Sequence, residues 1–362
     1  MDVNEINDKR KQADFKGITF SKHKKAEVKK ALLSSLLDTK VENANHWCAE
    51  YICAGHFMDL WEIILLYLSK YVHLGNPKLS IYVAMRFNNF KEIVVNGYID
   101  NEIRMRNNGK IRKLFSEIIS ILCYSSKKHS IETIKVKANE FDITGMTYRL
   151  KAPTVEYVKS VFQSDDPKEL YIALNELAYH VSKDSRDSVS ACYWVEWIME
   201  FEKICKSKKE KCQGQRRTFA PVEDKMQTDV IWIVWDILLR EAESKSSLLR
   251  KVMMSNLELF SLRYSVGVKR RRRYLLYFSI SLLTESVNLT NDIISSQANK
   301  QIINNIVKRV DVIYQHIKKN EETPAMDYLF NNKITARSNL EKTVEKLDKM
   351  NDLQNLVFRK DN

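Results

Sequence analysis

Glycine and proline are scarce in this chain, 8 and 5 among 362 residues. A β-sandwich or barrel needs turn residues at short, regular intervals, so the shortage disfavours an all-β fold and favours helices. Long apolar runs are missing too. The longest, Ile63–Leu68 and Val230–Leu239, fall well short of the roughly 20 residues a membrane-spanning helix needs. No two glycines lie close enough to form a phosphate-cradling loop or a dinucleotide fingerprint. The paired-histidine zinc-protease motif and the serine-elbow motif are absent as well. The opening stretch MDVNEINDKRKQADFKG lacks the apolar segment of a secretory signal. The six cysteines (Cys48, Cys53, Cys123, Cys192, Cys205, Cys212) are irregularly spaced. Reduced thiols in a soluble intracellular protein are therefore expected.

What is present is enough apolar content for a packed core, 44% hydrophobic and 10% aromatic residues. Val28, Leu32 and Leu36 recur at helical spacing opposite a lysine face. Helical periodicity continues from about 42 to 72, with Gly55 as a break between two helices and Gly75-Asn76-Pro77 as a stop. Residues 131–150 carry β-branched residues with partial alternation, which suits a small hairpin. Beyond Pro153 a second helical region begins. Asp165 or Asp166 is expected to cap a helix with Pro167 at its first position. Pro221 is expected to open another helix whose Ile231 to Leu239 stretch, apolar on several sides, belongs at the centre of the fold. Gly267 suits a C-cap, and Leu340, Val344, Leu347 and Met350 form a short heptad-like stripe.

The expected fold is mainly α, an irregular multi-helix bundle with a small hairpin between two helical regions. Its parts are a flexible basic N-terminus (1–20), a first helical region (21–126), a linker or β excursion (127–152), a second helical region (153–333) and a C-terminal amphipathic helix and tail (334–362).

His46, Cys48, Cys53 and His56 offer four zinc-type donors within eleven positions. On a continuous helix His46 and Cys53 share a face, His56 lies about 80° away and Cys48 points elsewhere. Four donors cannot converge there, so His46, Cys53 and His56 remain only weak metal candidates. Core packing is the favoured reading, with Cys48, Cys53, Trp47 and Trp61 as the packing centre of the first region. Lysines beside Cys205 and Cys212 would lower their thiol pKa, but no catalytic partner accompanies them. Val222–Lys225 holds the Glu-x-Lys end of some metal-dependent nuclease sites, a match short enough for chance. Asp184 and Asp187 read as helix caps. No catalytic residue and no cofactor is assigned, and a non-enzymatic protein is expected.

Charge carries more information. Lysine and arginine outnumber aspartate and glutamate 59 to 46, a formal net charge of +13. Such a bias favours nucleic acid, an anionic surface or an acidic partner. Three clusters concentrate it: Lys22, Lys24, Lys25, Lys29 and Lys30; Lys206, Lys208, Lys209, Lys211, Arg216 and Arg217; and Lys269, Arg270, Arg271, Arg272 and Arg273. At the start of a helix the last run opposes the dipole, and at 100° steps its guanidiniums fan around the axis. The fan needs carboxylates or phosphates nearby: pairing with the protein's own Asp and Glu is the leading reading, phosphate binding the second and a localisation signal the third.

Within Phe20 to Val94, the chain carries Trp47-Cys48-Ala49-Glu50, Ala54-Gly55-His56, Leu60-Trp61-Glu62, Gly75-Asn76-Pro77-Lys78-Leu79 and Arg86-Phe87. In these motifs it resembles an uncharacterised protein family encoded by nucleocytoplasmic large DNA viruses of eukaryotes. The resemblance implies a viral protein acting in the cytoplasm or nucleus of infected cells, and carries no catalytic motif. Together the expectations are a viral accessory protein that binds nucleic acid through basic clusters without sequence preference, in replication, transcription or packaging. The alternative is a virion structural or minor capsid-associated protein acting through contacts with other viral proteins.

Overall fold

The computed structural model describes residues 4–98, 102–141 and 143–322. The fold is an irregular array of helices, and no strand or sheet occurs among the described residues. The first region holds α1 (Lys25–Leu37), α2 (Val41–Cys53), α3 (Phe57–Leu66), α4 (Leu79–Val95) and α5 (Gly109–Tyr124). Gly55 separates α2 from α3 as expected, with φ +76 in the left-handed region where glycine is unstrained. Beyond α3 the chain continues as a π-helical segment, Tyr67–Val72. Gly75 permits a close crossing, since a Cβ there would lie 2.6 Å from the Ser126 carbonyl oxygen. Asn108 caps α5, accepting from the Lys110 and Ile111 amides at 2.9 and 3.2 Å.

The expected hairpin is replaced by one-turn helices: 3-10 turns at Ala138–Phe141 and Thr147–Arg149 flank α6 (Ile143–Met146). Ile131, Ile134 and Val136 pack against the helical body, and no partner strand exists among the described residues. The second region holds α7 (Tyr171–Val181), α8 (Ser188–Ser207), α9 (Ile231–Glu243), α10 (Ser247–Ser261), α11 (Val268–Arg271), α12 (Arg273–Thr284), α13 (Gln297–Lys308) and α14 (Val310–Lys318).

Three boundary expectations shift. Pro167 precedes a 3-10 turn, Lys168–Leu170, and α7 starts only at Tyr171, while Asp166 accepts from Arg217 and from the Gln163 and Gln215 amides. Pro221 opens no helix: Ala220 to Val230 is largely irregular, and α9 begins at Ile231. Gly267 stands before α11 rather than after a helix, and the run from 268 to 284 is broken at Arg272.

The all-round apolar stretch is central as expected, with Ile231, Trp232, Ile233, Val234 and Trp235 wholly buried among α7, α8, α10 and α12. One apolar cluster runs through both helical regions. α10 packs on α4, α12 on the π-helical segment, α13 on α5 and α14 on α2, so the late helices fold back over the early ones. The N-terminal stretch is not a loose basic lead. Ile6, Phe15 and Phe20 are buried, and the Arg10 guanidinium lies 4.7 Å from the centres of both phenyl rings while pairing with Asp8 at 2.6 Å. The heptad-like stripe of 334–362 lies outside the described residues. No helix among the described residues is long and apolar enough to cross a membrane.

His73 follows the π-helical segment with φ +47 and is 2% exposed, its ring 5.0 Å from that of Phe278. Burial pushes its pKa down to about 4, partly opposed by Glu285 and reinforced by Lys128. A depressed base is neutral when folded, while the unfolded chain takes up a proton below about pH 6.5. The associated stability is complete above that pH and is lost as pH falls toward 4. Urea unfolding at pH 8 and pH 5 is expected to differ by about 2 kcal/mol from this residue alone. In His73→Asn, which removes the titrating ring and keeps a polar side chain, the difference should shrink by that amount; identical pH dependence in both proteins would remove His73 as its source.

Candidate nucleic-acid interface

The run from Lys269 to Arg273 is distributed by the break at Arg272, and the protein's own acids meet most of it. Lys269 is 2% exposed, with its ammonium 2.8 and 2.9 Å from the two Asp229 oxygens and a further ion pair to Glu202. The Tyr264 hydroxyl donates to Asp229 at 2.9 Å. Two carboxylates share one ammonium there, and burial together with the Asp229 charge raises the Glu202 pKa. Arg270 donates to the Met199 carbonyl and pairs with Glu200, both at 2.9 Å. Arg272 donates to the Phe260 and Leu262 carbonyls at 2.7 and 2.6 Å and pairs with Glu62 at 2.5 Å. Arg273 pairs with Glu196 at 3.1 Å, and the Tyr277 hydroxyl donates to the same carboxylate at 2.8 Å. Burial raises the Glu196 pKa, which Arg273 and Tyr277 oppose. Arg271 alone in this run is exposed and makes no ion pair among the described residues. The tract is thus mostly an internal staple that joins α3, α8 and α10 to the α11–α12 junction.

The cluster at 206–217 divides differently. Arg217 is buried: it grips Asp166 with both terminal nitrogens at 3.0 and 2.7 Å, pairs with Asp236 at 3.2 Å and donates to the Val161 and Gln215 carbonyls. Arg216 pairs with Asp224 at 2.6 Å. By contrast Lys206, Lys208, Lys209 and Lys211 are exposed and make no ion pair among the described residues. Lys206, Lys209 and Lys211 line a cavity of about 380 Å³ together with Lys225, Glu202 and Asp229. Cys205 and Cys212 sit beside these lysines, yet burial raises both thiols, Cys212 to about 12. That reverses the expected lowering, because desolvation of a thiolate outweighs exposed, hydrated ammoniums.

These two clusters adjoin, since Lys269 and Arg270 tie α11 to Glu202 and Glu200 on α8, whose end carries Lys206. The first cluster belongs to another neighbourhood, as α1 packs on α2 and α5. There Lys22 pairs with Glu322 at 2.9 Å, Lys24 with Glu27 at 3.8 Å and Lys25 with Asp59 at 2.8 Å. Lys29 and Lys30 are exposed without an ion pair among the described residues.

The His/Cys-rich stretch is packing. Cys48, Cys53 and Trp61 are buried, Trp47 is half-buried, and burial raises both thiols. The Trp61 ring lies 4.9 Å from Phe87 and 5.2 Å from Phe115. His46 rests 5.0 Å from the Trp47 ring, its pKa lowered by burial. His56 places Nε2 3.1 and 2.8 Å from the Phe15 and Ile18 carbonyls, so that nitrogen carries its proton and donates. Among the described residues no three His, Cys, Asp or Glu side chains group so as to hold a metal. Asp187 caps α8 as expected, whereas Asp184 accepts from the Tyr157 hydroxyl instead. Sequence reasoning missed the acids Glu62, Asp166, Glu196, Glu202 and Asp229, whose cationic partners lie between 40 and 210 positions away. No local pattern announces such a pairing.

Nothing among known family models, curated proteins or solved structures matches this chain. Its class is that of a mainly helical, cationic protein.

Proposed function

We propose that this protein binds nucleic acid electrostatically through the lysine bank Lys206, Lys208, Lys209 and Lys211, extended by Arg271. The reading rests on one observation. From Lys203 to Arg217 the chain holds five lysines and two arginines against the single acid Glu210, and the neighbouring carboxylates Glu200, Glu202 and Asp229 are already engaged by Arg270 and Lys269. The four lysines therefore keep their charge for an external anion. Lysines on an exposed helix end act as point charges for phosphates and carry no base readout, so binding without sequence preference is the expected mode. With the motif resemblance in residues 20–94, the proposal extends to an accessory role in genome replication, transcription or packaging in infected cells.

The test is duplex DNA binding by the full chain across a salt series. At about 50 mM salt binding should be clear and should weaken steeply as salt rises. Replacing Lys206, Lys208, Lys209 and Lys211 with Gln should flatten the slope of log affinity against log salt by about 3 to 4. Replacing Lys29 and Lys30 should leave it nearly unchanged. No binding at low salt, or an unaltered slope in the fourfold variant, would overturn the assignment.

A further inference from the structure

We infer that the groove between α4 and α10 is a docking site for an acidic amphipathic helix of a partner protein. The groove encloses about 700 Å³. Phe87, Phe90 and Leu257 give it an apolar base, at 5%, 5% and 1% exposure, while Val95 (64%), Met254 (53%) and Phe219 (37%) stand out along it. Single exposed apolar side chains are ordinary on a protein surface, whereas three around one apolar-based groove mark a contact surface. Two helices packed side by side present ridges and a trough that accept a third helix by the rules that packed the first two.

Charge selects the occupant. The lining holds the exposed cations Lys91 and Lys251 against one carboxylate, Glu258, which accepts from the Asn88 amide at 2.8 Å. A helix with an apolar stripe at i, i+3 or i+4 and i+7, flanked by Asp or Glu, satisfies both the trough and its rim. Nucleic acid would use the cations and leave the apolar base wet. A second copy of this chain, meeting the groove across a two-fold axis, would set the same lysines against each other. The surface is separate from the lysine bank at Lys206 to Lys211, which lines a different cavity, and stands or falls independently of it.

The probe is a synthetic 16-residue helical peptide with Leu and Phe on one stripe and Glu elsewhere, titrated into the full chain by fluorescence anisotropy. Two control peptides accompany it: one of identical composition with the stripe scrambled, and one with Lys in place of Glu. The striped acidic peptide should bind at least about tenfold tighter than either control. Met254→Glu and Val95→Glu should each weaken it by about tenfold or more, and K91E/K251E should shift preference toward the lysine peptide. All four side chains are exposed, and an unchanged thermal melt confirms that each variant folds. Equal binding of striped and scrambled acidic peptides would overturn the proposal, as would indifference to Met254→Glu. So would sedimentation showing self-association that Met254→Glu abolishes.

Discussion

Arg217→Ala is expected to lower the free energy of unfolding by about 3–5 kcal/mol, the largest single loss among the charged residues. Asp166 is wholly buried and Arg217 is 2% exposed at the side chain, so neither ion can recover water when its partner is removed. The guanidinium supplies five hydrogen bonds at once: two to Asp166, one to Asp236 and one each to the Val161 and Gln215 carbonyls. Among the described residues Asp166 keeps only the Gln163 and Gln215 amides, at 2.9 and 2.8 Å, as donors in the variant. Lysine cannot reproduce the two-pronged grip, so Arg217→Lys should recover less than half of the loss. The double variant Arg217→Ala/Asp166→Ala should be less destabilised than the two single losses added together, because it leaves no orphaned charge. Guanidinium unfolding of the four proteins measures all of this. A loss below about 1 kcal/mol in Arg217→Ala would mean that Asp166 finds water.

Arg272→Ala should cost about 2–4 kcal/mol, for a different reason. Here the carboxylate partner, Glu62, is 25% exposed and can hydrate, so the loss comes mainly from the Phe260 and Leu262 carbonyls at the end of α10. Both bonds are charge-assisted and buried. Glu62→Gln should therefore cost less than about 1 kcal/mol, an asymmetry that a simple ion-pair account does not give. The same guanidinium links residue 62 to residues 260 and 262, so its loss is also expected to reduce the cooperativity between the two helical regions, read as a broadened unfolding transition. Equal losses in Arg272→Ala and Glu62→Gln would assign the stabilisation to the ion pair instead.

Both predictions concern residues that the sequence offers as phosphate candidates, with the protein's own acids as the leading partner for the run that holds Arg272. Arg217 and Arg272 sit in basic runs and were candidates for phosphate; in the fold they are among the most enclosed charges. The reason is distance along the chain. Asp166 lies 51 positions from Arg217, and Glu62 lies 210 from Arg272. A basic run records where cations occur and not which acids the fold will bring to them. The lysines at 206, 208, 209 and 211 stay outside because Lys206 ends α8 and the others follow it, in a stretch from 206 to 211 that carries no large apolar residue to draw it inward. Long ammonium side chains resist burial there, with solvation uncompensated.

Local chemistry was enough for much of the rest. Sparse glycine and proline, apolar periodicity and the Ile231 to Leu239 run determined a helical fold with α9 at its centre. Gly55 and Asp187 marked element ends correctly, since a left-handed turn and an N-cap need only neighbouring atoms. The spacing of His46, Cys48, Cys53 and His56 also sufficed to favour packing over four converging ligands. Tertiary structure alone decided the hairpin, the start of α7 and the fate of each cation. A strand needs a partner, Asp166 accepts from the Gln163 and Gln215 amides and from Arg217 and not from a first helical turn, and a charge turns inward only where another part of the chain meets it.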